Sequence, residues 1–118
     1  MIFDAGVFIK VESPSDARRI NALVQALKDN GVTPITNVGA LAQVWRNPAQ
    51  QVGVTMLAES CEVRELGDPR AIGRRCADSG TSDVVDASLA VLSAATGMNI
   101  LTTDPDDMKQ LGANYAAL

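Results

Sequence analysis

An α/β fold, with three α/β/α layers around a mostly parallel sheet, is predicted by three features of the chain. Short apolar strand-like segments alternate with helical patterns, and no junction between them carries a hairpin signal. Two of the strands, Ile2-Phe3 and Met98–Thr103, end in an aspartate and lead straight into a turn or helix start. The chain has 118 residues and is 47% hydrophobic, which suits one core and one domain over residues 1–118.

The elements follow in order. Ile2-Phe3 opens a strand ending at Asp4, and Ala5-Gly6 then turns towards the apolar Val7-Phe8-Ile9. Ser13-Pro14-Ser15-Asp16 is a helix start, with Ser13 as cap and Pro14 in the first helical position. Ile20, Leu23, Val24 and Leu27 then recur at helical spacing until Gly31 closes the helix. Val32–Thr36 reads as a second strand, with Pro34 indicating an edge or an early position. Gly39–Arg46 is expected to be a helix stopped at Asn47-Pro48, with Asn47 capping a further helix from Pro48 to Ser60. Cys61–Leu66 reads as a short strand, and Asp68-Pro69 starts a helix to about Ala77.

Gly80 separates that helix from the next, Val84 to Ala95, which is apolar enough to be covered nearly all round. Thr81 or Ser82 is the expected cap, with Asp83 in the first turn. Asp86 would then lie a turn deeper, where a buried carboxylate needs a partner or a cation. Pro105–Leu111 is a last short helix, capped at or just after Asp104, and Asn114–Leu118 supplies a final strand.

Composition removes several function classes. With no histidine, Ser-His-Asp and Cys-His nucleophiles, His-based acid–base catalysis and the usual His-bearing zinc sites are excluded. Carboxylate chemistry remains. The net charge of −4 leaves nucleic-acid contact to local cations or to a bound metal ion. Cys61 and Cys76 fit no metal or disulfide framework and read as reduced, structural thiols. No apolar run approaches the ~20 residues that span a bilayer, and Met1–Asp4 lacks the features of a signal peptide, so no membrane partner and a cytoplasmic location are expected.

Functional residues of parallel sheets gather at the strands' C-terminal ends, where strand order reverses. Asp4 and Asp104 end two strands, and the Asp83/Asp86 helix enters just before the second of them. Carboxylates meeting there repel one another unless a cation sits among them, and oxygen-only ligation suits Mg²⁺ or Mn²⁺.

Four stretches together resemble the PIN-domain family, in particular VapC-type toxins: the strand ending in Asp4; Leu41-Ala42-Gln43-Val44-Trp45-Arg46; Gly80-Thr81-Ser82-Asp83-Val84-Val85-Asp86-Ala87; and Leu101-Thr102-Thr103-Asp104-Pro105-Asp106-Asp107. The resemblance implies a metal-dependent ribonuclease that hydrolyses RNA phosphodiesters, forms a homodimer, and is silenced by a cognate antitoxin. Asp4, Asp86 and Asp104 match the family's metal-binding aspartates, while Asp83 and Asp107 match acids near the site. The chain departs from the family at Gln43, where Glu is usual, and at Ala5-Gly6, where many members carry Thr or Ser. In this reading Asp83 supplies the charge missing at Gln43.

Arg46 is either an RNA or antitoxin contact or a helix-end cation facing the negative end of the dipole. Trp45 reads as core or dimer interface before base-stacking platform, and Arg74-Arg75 as a solvated face. The competing function is a catalytically weakened PIN-like module that binds protein or RNA without turnover. A phosphotransfer receiver lacks its late Lys here, and a dehalogenase-type phosphatase lacks its Asp-x-Asp after the first strand.

Overall fold

The computed structural model describes residues 1–118, the side chain of Pro48 excepted. Five strands form one sheet: β1 (Ile2–Phe3), β2 (Ile35–Asn37), β3 (Glu62–Arg64), β4 (Ile100–Thr102) and β5 (Tyr115–Ala117). All the pairings are parallel, in the order β3-β2-β1-β4-β5. The chain builds outward from β1 on one side, then returns to place β4 against β1 on the other. The reversal therefore falls at the β1–β4 pair, where Phe3 is in register with Leu101.

Alternation along the strands divides the core. Phe3 and Leu101 face one layer, with α1 (Ala5–Lys10), α2 (Pro14–Asp29), α3 (Val38–Val44) and α4 (Val52–Glu59). Ile2, Ile35 and Ile100 face the other, against α5 (Pro69–Ser79), α6 (Val84–Thr96) and α7 (Pro105–Gln110). Side chains that point to opposite faces at successive residues make this three-layer α/β/α arrangement, as the sequence predicts. Phe3 and Phe8 meet edge to face at 6.5 Å inside the first layer, and each such fully buried ring contributes about 2 kcal/mol.

Several boundaries differ from expectation. The second strand begins after Pro34 and runs to Asn37; it lies between β1 and β3, so Pro34 marks an early position and not an edge. The Asn37 side chain, not a loop residue, caps α3 by accepting from the Ala40 N–H. That helix ends at Val44, with Trp45 extended. Asn47 does not cap α4: Pro48–Gln50 forms a separate 3₁₀ turn and α4 starts after Gln51. Gln51 accounts for this, because its amide accepts from the Arg46 and Asn47 N–H groups and donates to the Val44 carbonyl.

The expected all-round burial of α6 does not hold. Ala87, Ser88, Leu89, Ala90 and Ser93 are buried, while Val84, Ala94 and Ala95 are exposed. One side of α6 packs on the sheet, and α5 and α7 do not close over the other. No helix among the described residues is long and apolar enough to cross a membrane.

Candidate active site

Asp4 leaves the end of β1 in an extended conformation and caps α1, its Oδ1 accepting from the Val7 N–H at 3.2 Å. It is buried, at 4% exposure. Burial pushes its carboxyl above the ordinary range; bonds from the Thr102 hydroxyl and the Val7 and Gly6 N–H groups pull it back, and the charge of Asp104 adds to the rise.

At α6 the cap is Asp83 itself, accepting from the Val85 and Asp86 N–H groups at 3.1 and 3.0 Å. Thr81 instead accepts from the Asp83 N–H, so the helix begins later than expected. Asp86 therefore lies in the first turn and not a turn deeper. The dipole of that turn favours a carboxylate, yet Asp86 is pushed up to about 7, first by burial and then by Asp83, Asp4 and Asp107.

Asp104 occupies the cap position of α7 but makes no side-chain capping bond, and its own N–H donates to Thr102 Oγ1. Its carboxylate is left to project outward. Asp107 is held above the ordinary range by desolvation and then by Asp104, Asp83 and Asp106. Asp4, Asp83, Asp86, Asp104 and Asp107 thus share one electrostatic neighbourhood at the C-terminal edge of the sheet. Among the described residues, none of these five acids has a cation within ion-pair distance, and no three acids are drawn closely enough together to hold an ion between them. Repulsion between carboxylates with no counter-charge keeps such groups apart.

The other predicted residues lie differently. Gln43 is exposed on α3 and makes no hydrogen bond to the acids among the described residues. Arg46 donates to the Ala42 and Trp45 carbonyls, the helix-end role. Trp45 packs half-buried against the first core layer. Cys61 and Cys76 are free thiols, and burial pushes Cys61 up to about 12.

Sequence reasoning missed the polar residues beneath the acids. Thr102, fully buried, lies between Asp4 and Asp104 and bonds to both. Asn37 Nδ2 donates to Ser88 Oγ at 2.8 Å, tying the end of β2 to α6 two residues past Asp86. Buried hydroxyls and amides need partners, and the Thr-Thr-Asp run after an apolar strand was the available signal. Gly6 also has a role: a Cβ there would overlap Thr103 Oγ1 and stand 3.2 Å from Asp4 Oδ1. The glycine thus lets the β4–α7 loop lie against Asp4.

No family profile and no curated protein matches the chain. Among solved structures it is similar to PAE2754 from Pyrobaculum aerophilum, with a TM-score of 0.73 and 13% identity over 97% of this chain and 81% of that one. At that identity the likeness is one of fold, and it bears out the α/β/α architecture.

Proposed function

We propose that the chain is a metal-dependent endoribonuclease of PIN type, acting in the cytoplasm as the toxin of a VapBC-like toxin–antitoxin pair. The observation that carries this reading is the group of five aspartates at the strand-order reversal, of which Asp4, Asp86 and Asp107 are held above the ordinary range, with no cation at ion-pair distance among the described residues. Clustered carboxylates with raised pKa values are costly unless the site serves a bound cation. An all-oxygen donor set fits a hard ion such as Mg²⁺ or Mn²⁺.

Asp4, Asp86 and Asp104, which do not enclose an ion as the chain stands, would hold it by drawing in on its charge. Asp83, with one oxygen engaged in capping, and Asp107 would accept hydrogen bonds from surrounding water. When bound, the metal supplies positive charge that polarises a phosphate oxygen and acidifies water. Thr102 fixes the relation between Asp4 and Asp104, and the Asn37–Ser88 bond steadies the start of α6. A protein partner, whether a second copy or an antitoxin, is supported by the apolar groove of about 490 Å³ that Val38, Leu41, Trp45 and Val63 line.

The second reading, a binding module with weakened turnover, is favoured by Gln43, which is neutral, exposed and unattached to the acids. Calorimetric titration of Mn²⁺ into the wild-type chain and Asp86→Asn separates the two. Saturable binding lost in the variant is the expected result. Absence of binding to the wild-type chain at millimolar Mn²⁺ would count against the nuclease and favour the module.

A further inference from the structure

A cavity of about 440 Å³ lies between α5, α6 and the end of α7, and Arg74, Arg75, Asp78 and Gln110 line it above an apolar floor that includes Val91 and Leu111. Arg74-Arg75, a solvated face by sequence, is here part of a shaped wall. Arg75 is half-buried and donates from Nη1 to the Leu111 carbonyl at 3.0 Å, while Gln110 Nε2 donates to the Ser79 carbonyl at 2.9 Å. These two bonds tie α5 to α7 and fix the sides of the cavity. Neither arginine forms an ion pair among the described residues, although acids outnumber basic residues by 14 to 10 in the chain.

Two of the helices that wall the cavity also reach the acid cluster. The six-residue α7 is preceded by Asp104, carries Asp107 in its first turn and ends at Gln110 and Leu111, a rise of about 9 Å. The other wall, α5, leads through Gly80 to Asp83.

We propose that this cavity is a second contact for the RNA strand whose scissile phosphate faces the acid cluster, a proposal that rests on the nuclease reading above. Arg74 and the uncommitted donors of Arg75 take a backbone phosphate, for which the guanidinium fork is well shaped. The apolar floor receives the attached nucleoside, and Asp78 offers an acceptor to a ribose hydroxyl. Such a contact lets an acidic protein hold RNA through a local pair of cations.

The test is fluorescence anisotropy with a labelled mixed-sequence single-stranded RNA, in Ca²⁺ over a range of KCl concentrations, alongside calorimetric Mn²⁺ binding. Arg74 is exposed and makes no hydrogen bond among the described residues, so Arg74→Ala should fold. The variant is expected to weaken RNA binding about fivefold and lower the slope of log affinity against log salt by about 0.7, the value of one single-strand phosphate contact. Its Mn²⁺ affinity should be unchanged, and the control Arg18→Ala on α2 should alter neither quantity.

Equal weakening by Arg74→Ala and Arg18→Ala would reduce the effect to net charge and overturn the proposal, as would RNA binding indifferent to Arg74. Arg74-dependent capture of a polyglutamate peptide without RNA binding would also overturn it. No RNA binding at any salt, with Mn²⁺ still saturating the acids, removes the cavity contact and leaves the metal site standing. Arg74-dependent RNA binding by a chain that takes no Mn²⁺ keeps the cavity contact and removes the nuclease.

Discussion

Asp16 and Asp86 hold the same position, the third residue of α2 and of α6. Both gain from the N-terminal end of the helix dipole. Asp16 faces Arg19 at 2.9 Å and Lys10 at 4.0 Å. Asp86 faces Asp83, Asp4 and Asp107 and no cation, and its carboxyl rises to about 7. Only the first arrangement is complete as the chain stands. Local helical position does not decide what a carboxylate does; what the neighbouring elements bring to it does. The metal ion proposed above would give Asp86 the counter-charge that Asp16 finds in Arg19 and Lys10.

The strongest way to break this comparison is on RNA hydrolysis. Asp86→Asn should lower cleavage at least about a thousandfold, several kcal/mol of transition-state stabilisation, while Asp16→Asn leaves the rate unchanged; gel-based cleavage of labelled RNA reads both. Next comes packing. Leu89, fully buried one turn after Asp86, fixes α6 to the sheet, and Leu89→Ala should cost about 3 kcal/mol by urea denaturation. An equally inactive but unstable Asp86→Asn would erase the distinction between the two roles.

The pH dependence sharpens the contrast further. Between the ordinary 3.8 and about 7, folded Asp86 holds a proton that the unfolded chain has lost. Its contribution to stability is therefore fully present below about pH 4 and declines as pH rises through 7. After allowance for solvent screening of a half-exposed group, this is of order 1 kcal/mol. Thermal melting in EDTA should show stability falling between about pH 4 and 7 and levelling off above, with a shallower fall in Asp86→Asn; an identical slope in the variant would refute the assignment. The smallest effect is expected at Asp16, where Arg19→Ala should change stability by no more than about 0.5 kcal/mol, as for other exposed ion pairs.

Much of this was legible before the fold was known. The Ser13-Pro14 helix start, the buried strand before Asp104 and the parallel layering rest on local propensity and period, which a sequence carries directly. The residues that failed did so for tertiary reasons. Asn47 loses its expected role because Gln51, from the next turn, binds the Arg46 and Asn47 N–H groups and the chain between Asn47 and Gln51 forms a 3₁₀ turn before α4 begins. Residues of α6 read as covered on every side stand open because its neighbours leave one side uncovered. Asn37 and Ser88 are small polar residues with no local signature, Thr102 is marked only by the Thr-Thr-Asp run, and their partners lie in other elements.

By itself the sequence determined most of the strands and helices, the apolar face of α2, and that aspartates end the first and fourth strands. Only the tertiary structure decided that the five acids share one field, that Gln43 stands apart from them, and that Arg74 and Arg75 border a cavity. The physical reason is range. Caps, turns and periodicity act over a few residues, whereas burial and charge coupling depend on groups that the sheet order brings together from opposite ends of the chain.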